Sequence, residues 1–244
     1  MKIILKSNSK KIFKRIDNVY ARELKSFNNL KNYTKFNLFL RKDIVLEFGD
    51  RTDISTFVTN KYQLKLGFNV IENSVGVIPN SKLLKYISIT NLVDIYLKIL
   101  EHLTEIGKNI YLIYHANQDR ELIKTIYYKS ESNTNVHFID QELNAYQLKS
   151  ILSKMDFNIA SRYHSIIHSY IYYRPCIVIG WANKYAELLN DFSQLKFFTD
   201  IRSEKIKSSF VNQTIDDLDA NKETYSNLIK NYLKDYRKLH NNFY

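Results

Sequence analysis

Two short runs hold the side chains best suited to chemistry. In Ile159-Ala160-Ser161-Arg162-Tyr163-His164-Ser165, polar groups interrupt an otherwise apolar stretch that continues through Ile166-Ile167-His168-Ser169-Tyr170. Arg162 offers a permanent charge in a planar fork suited to phosphate or carboxylate. His164 can exchange a proton near neutral pH. The second run, Gly180-Trp181-Ala182-Asn183-Lys184, brings a lysine to the next turn along. Taken singly, such residues are more often solvated charges or structural histidines, and His168, one turn beyond His164, is expected to face the core or a neighbouring helix. Grouped on neighbouring turns, Arg162, His164 and Lys184 are expected to converge on one pocket that handles an anion and a proton.

The same pattern says how these groups must be held. Phe157 to Ala160 reads as a strand, and a helix begins near Tyr163 or His164. Ligands of open α/β sheets bind at the carboxyl ends of strands, where a helix N-terminus presents free N–H groups. Further strands are expected at Val75 to Ile78, Ile110 to Tyr114, Val136 to Ile139 and Cys176 to Ile179. Between them, Leu92, Ile95, Tyr96, Ile99 and Leu103, then Leu122, Ile123 and Ile126, then Leu148, Ile151 and Leu152, recur at helical spacing. Gly107 reads as a helix stop. Alternating strands and helices imply a parallel sheet with crossover helices, a Rossmann-like domain over residues 74–215.

Residues 1–73 read as a smaller, incomplete α/β portion: a helix around Tyr20 to Leu30, a strand at Asp43 to Glu47 at or near an exposed sheet edge, and a polar loop through Asp50, Arg51 and Asp53. Such an edge favours self-association. Residues 216–244 read as a C-terminal helix, with Leu218, Tyr225, Leu228, Ile229 and Leu233 on its apolar face, packing back on the N-terminal portion.

Composition narrows the function classes. The formal charge of +11 favours anionic ligands or surfaces. The lysines are spread along the chain with no recognisable nucleic-acid module, so nucleic acid is not an expected partner. Cys176 is the only cysteine, which excludes an intrachain disulfide and a thiolate cluster. Among the histidines only His164 and His168 have i, i+4 spacing, and without a His-Glu-X-X-His pattern no metal is expected. Apolar runs such as Val75 to Pro79 and Cys176 to Trp181 are far shorter than the roughly 20 residues that span a bilayer. Lys6, Lys10 and Lys11 interrupt the apolar start before a signal sequence can form. A cytoplasmic location is expected, with peripheral contact at the inner face of the membrane as an option.

Ser161-Arg162-Tyr163-His164-Ser165, Arg174-Pro175 and Gly180-Trp181-Ala182-Asn183-Lys184 resemble the C-terminal signature of the polysaccharide pyruvyl transferase family. Gly76-Val77-Ile78-Pro79-Asn80 resembles the opening strand of that domain, and Tyr20-Ala21-Arg22-Glu23-Leu24-Lys25-Ser26 a helix of the family's first domain. The resemblance covers nearly the whole chain. It implies a GT-B-like pair of Rossmann-like domains and transfer of pyruvyl from phosphoenolpyruvate, the donor substrate, to sugar hydroxyls as a ketal, with no further cofactor. His164 then falls on a catalytic position, and Arg22, Arg162, Lys184 and Ser165 on substrate-binding ones. The family's glycine-rich acidic opening upstream of the Arg22 helix has no counterpart here, which implies a fragment, a split protein completed by a second chain or a homo-oligomer, or a lost part of the site. The acceptor implied is a bacterial surface glycan or its lipid-linked precursor. Two alternatives stand beside this: a catalytically silent glycan- or partner-binding module, and a GT-B glycosyltransferase in which Glu187 contacts the ribose of a nucleotide sugar.

Overall fold

The computed structural model describes residues 16–31, 37–48, 69–130, 133–203 and 208–240. The N-terminal portion consists of β1 (Asn18–Ala21), α1 (Leu24–Lys31), β2 (Asn37–Leu40) and α2 (Ile44–Phe48). Then follow β3 (Ser74–Ile78), α3 (Ile89–Glu105), β4 (Asn109–Ile113), α4 (Arg120–Lys129), β5 (Val136–Ile139), α5 (Ala145–Ser153), β6 (Phe157–Ala160), α6 (Tyr163–Ile171), β7 (Cys176–Gly180), α7 (Asn183–Asp191) and β8 (Phe198–Asp200). Two helices, α8 (Ser208–Ala220) and α9 (Lys222–His240), complete the described chain.

Strands β3 to β8 form one six-stranded sheet in the order β5-β4-β3-β6-β7-β8, every pairing parallel. Every residue of β3, β6 and β7 is buried, as a parallel sheet covered on both faces requires. The strand order runs outward from β3 in one direction and then from β6 in the other, so the sheet reverses between these two strands. Helix α3 packs against α4 and α8, whereas α5 packs against α6, and α6 against α2. The expected Rossmann-like α/β fold is therefore the observed one.

Local chemistry fixes where these elements begin and end. The Ser88 side chain caps α3 by accepting from the Asn91 N–H, and Asn144 and Gln147 form a reciprocal capping box on α5. At the end of α3, Gly107 adopts φ 74° while the Lys108 N–H returns to the Leu103 carbonyl and that of Gly107 to Thr104. This is a Schellman closure, which glycine permits without strain. Gly76 serves packing: a Cβ there would lie 2.2 Å from Asn158 Oδ1 on the neighbouring β6.

The N-terminal portion departs from the sequence reading. Asp43 to Glu47 is not a strand, because the Asp43 carboxylate accepts from the Val45 N–H and its carbonyl from the Leu46 N–H, and these bonds start helix α2. Tyr20 and Ala21 belong to β1 rather than to a helix, which begins only at Leu24. The strand pairing lies instead between β1 and β2, joined in parallel. The loop expected at Asp50, Arg51 and Asp53 lies outside the described residues.

The C-terminal segment is two helices, separated at Asn221, whose side chain turns back to the Asp217 carbonyl. Helix α9 reaches the N-terminal portion. There the Tyr236 hydroxyl accepts from the Lys42 N–H and donates to Glu47, and Arg237 Nε donates to the Leu46 carbonyl.

Candidate active site between the N-terminal portion and helices α6 and α7

A cleft of about 450 Å3 lies where the N-terminal portion meets the carboxyl ends of the central strands. From one side it is lined by Arg22, Glu23, Lys25, Lys42 and Asp43, and from the other by Tyr163, Lys184, Glu187 and Asp191. Tyr163 and Lys184 occupy the first turns of α6 and α7, and neither helix has a side-chain cap. Their first N–H groups are thus available to an anion, reinforced by the helix dipole.

The Tyr163 ring anchors the cationic centre. The Arg22 guanidinium carbon lies 4.4 Å from its centroid and Lys184 Nζ lies 5.1 Å from it. Arg22 also bonds Asp43 and Glu23, each at 3.1 Å. Lys42 pairs with Asp191 across the cleft. Lys184 touches only the rings of Tyr163 and Tyr185 and pairs with no carboxylate among the described residues. Burial lowers its pKa and the Arg22 charge lowers it further, Glu23 acts in the opposite direction, and Lys82 and Arg162 add to the lowering. Burial likewise raises the pKa of the Tyr163 hydroxyl.

His164 is half exposed beside this centre, its Nε2 3.8 Å from Asp43 Oδ2 and its ring edge-on to Tyr163. Arg162 points the other way. Its Nε and one terminal nitrogen grip the carboxylate of Asp119 at 2.8 and 2.7 Å, and Asp119 is fully buried. The same carboxylate accepts from the Ser81 N–H and hydroxyl, while the Asn80 side chain donates to the Ser161 carbonyl. These bonds join the carboxyl ends of β3 and β6 at the point where the sheet reverses. Ser165 is buried, with its hydroxyl 2.8 Å from His115 Nδ1. The structure therefore brings Arg22 and Lys184 together, sets His164 beside them, and turns Arg162 and Ser165 inward.

Several participants carry no local sequence signal. Asp119 lies 43 positions from its arginine partner. His115 follows β4 and stacks on His168, with ring centroids 5.9 Å apart. Burial holds both imidazoles neutral, lowering His115 to about 4 and His168 to about 3. Asp43 and Tyr163 were visible only as a strand residue and a helix start, and their meeting at Arg22 depends on tertiary packing. Among the described residues no group of three or more histidine, cysteine or carboxylate side chains could hold a metal ion. None of the described helices is long and apolar enough to cross a membrane.

Comparison with solved structures supports the architecture. The UDP-GlcNAc 2-epimerase of Methanocaldococcus jannaschii, solved with UDP-GlcNAc and UDP, superposes with a TM-score of 0.62 at 11% identity, over 83% of this chain and 54% of that one. The Neisseria meningitidis UDP-GlcNAc 2-epimerase, bound to UDP-GlcNAc, gives 0.62 at 15% identity, over 95% and 60%. A trehalose-6-phosphate synthase, OtsA, gives 0.54 at 9% identity, over 96% and 60%. The chain thus spans little more than half the length of these proteins, and the likeness is one of GT-B-type fold. No curated protein matches the sequence significantly. The polysaccharide pyruvyl transferase family matches residues 3–183, most of the chain, a span that includes Arg22, Asp43 and Tyr163 of the cleft and ends one residue before Lys184. By that match the chain belongs to the polysaccharide pyruvyl transferase family.

Proposed function

We propose that the cleft binds phosphoenolpyruvate and transfers its pyruvyl group to a sugar hydroxyl of a bacterial surface glycan or its lipid-linked precursor. The observation that carries this reading is Lys184: a half-buried cation with no carboxylate partner among the described residues, sharing the Tyr163 ring with Arg22 at an uncapped helix start. Two neighbouring cations repel each other until an anion lies between them, and phosphoenolpyruvate carries two anionic groups. Arg22 and Lys184 neutralise its carboxylate and phosphate, whose burial is otherwise costly. The donor's methylene carbon then takes a proton, one sugar hydroxyl attacks the neighbouring carbon, and a second hydroxyl displaces inorganic phosphate to close the ketal. His164, half exposed and 3.8 Å from Asp43 at the cleft wall, supplies or removes a proton in this sequence. Arg162 supports the site through Asp119, by fixing the turn that begins α6.

Calorimetric titration with phosphoenolpyruvate tests the reading. Lys184→Ala is expected to weaken binding about 10- to 100-fold, the scale of one charge-assisted contact. His164→Ala is expected to retain binding and abolish phosphate release. Equal phosphoenolpyruvate affinity in wild type and Lys184→Ala defeats the proposal.

One observation favours a second reading. Glu187 lines the cleft with Oε2 buried and unpartnered among the described residues. A ribose hydroxyl would satisfy that oxygen, as in a transferase using a nucleotide sugar. Binding of UDP-GlcNAc in preference to phosphoenolpyruvate, lost in Glu187→Ala, would select it.

A further inference from the structure

Beside the cleft a row of aromatic rings leads out to the surface. Tyr163 and Tyr185 lie 6.1 Å apart between centroids, Tyr185 and Trp181 5.4 Å, and Trp181 and Tyr86 6.1 Å with 30° between their planes. The inner end carries Arg22 and Lys184. The outer end is open: Tyr86 is 46% exposed and Trp181 partly so. That exposure leaves part of each outer ring uncovered. Neither the Trp181 indole N–H nor the Tyr86 hydroxyl has a hydrogen-bond partner among the described residues. Both rings project from turns just beyond strand ends, Trp181 after β7 and Tyr86 after the 3-10 turn Ser81–Lys85 that follows β3.

We infer that Tyr86 and Trp181 form the acceptor subsite, a shelf on which a pyranose ring of the glycan stacks with its hydroxyls directed inward toward Lys184. This rests on the pyruvyl transfer reading for the cleft itself. A pyranose presents axial C–H groups on its faces and hydroxyls around its rim. The electron-rich face of an aromatic ring takes the former, while the free indole N–H and phenol hydroxyl meet the latter. A flat nucleobase stacks on such a face too, which is why uridine is among the probes. This shelf is open and elongated, which suits successive residues of a saccharide chain. Its inner neighbour, the buried Tyr185, also contacts Lys184, 5.4 Å from its ring, so Trp181 and Lys184 pack on the same ring.

Trp181 is the sole tryptophan of the chain, so its emission reports on the shelf alone. Wild-type protein and Tyr86→Ala are titrated with lactose, N,N′-diacetylchitobiose, mannobiose and uridine, while phosphoenolpyruvate binding is measured separately by calorimetry. The expected result is a saturable change in Trp181 emission with at least one disaccharide. Tyr86→Ala, which removes a largely exposed ring, should shift half-saturation about tenfold. The inference is overturned if no disaccharide changes the emission, if uridine alone does so, or if Tyr86→Ala titrates as wild type. Phosphoenolpyruvate binding without a saccharide response removes the shelf and spares the donor reading. A saccharide response without phosphoenolpyruvate binding does the reverse.

Discussion

The two sides of the cleft are built on different terms. The side bearing Tyr163 and Lys184 rises from strands whose residues are all buried, and its helices start where the sheet dictates. The side bearing Arg22 and Asp43 rests on two four-residue strands and two helices of eight and five residues, with Tyr20, Leu24, Phe39 and Ile44 exposed. The first is positioned by its own core, the second largely by what it touches: Tyr163 beneath Arg22, and Tyr236 against Lys42 and Glu47. A binding site shared between such halves combines a rigid wall with an adaptable one.

The largest expected effect inverts that ranking under acid. His115 and His168 are held neutral by burial in the sheet-based unit, amid His164, Arg162, Asp119 and Lys149. Their folded pKa values, about 4 and about 3, lie below the unfolded value near 6.5. Between these limits the unfolded chain binds more protons, so stability is full above pH 6.5 and falls as pH drops toward 4, on the order of several kcal/mol for the pair. Denaturation followed across that range should show the slope, and His115→Gln with His168→Gln should flatten it. An unchanged slope in the double variant would break the assignment.

Next in size is Asp119→Ala, which strands Arg162 without its buried partner and should cost about 3–5 kcal/mol. Gly76→Ala follows. Its new Cβ meets Asn158, whose amide is already held by Ser169 at 3.0 Å, and the overpacking should cost about 1–3 kcal/mol. Urea unfolding measures both. The smallest effect belongs to the other wall: Phe39→Ala, on an exposed strand, should change stability by less than about 1 kcal/mol. A loss for Phe39→Ala as large as that for Gly76→Ala would erase the contrast between the halves.

The same contrast governs what could be read without a structure. Strands β3 to β7 announce themselves as apolar runs between helical patterns, most plainly β3, β6 and β7, where burial on both faces demands them. Strand β8 does not, since Phe198-Thr199-Asp200 is short and half polar and joins the sheet only through its neighbour β7. In the N-terminal portion, Ile44-Val45-Leu46 carries β-branched residues that favour a strand, yet hydrogen bonds donated to Asp43 by the Val45 and Leu46 N–H groups wind it into a helix. A weakly packed segment lets such local bonds decide. For the site, residue type showed where Arg162, His164 and Lys184 cluster along the chain, but not which way each side chain turns. The Asp119 carboxylate that claims Arg162, and the Tyr163 ring that Arg22 and Lys184 share, exist only through contacts distant in sequence.

Helix α9 joins these observations mechanically. At its start Lys222 is bonded to Asp156, just before β6, at 2.6 Å, and near its end Tyr236 holds α2 at the cleft. Nineteen residues of α-helix make a rod of about 28 Å. Rods of that kind transmit displacement with little bending, so the distance between the cleft walls is set partly from the amino ends of the central strands. Ligand that clamps the walls should slow amide exchange around Lys222, and removal of one helical turn from α9 would draw Tyr236 back by about 5.4 Å, leaving the Arg22 wall without its brace.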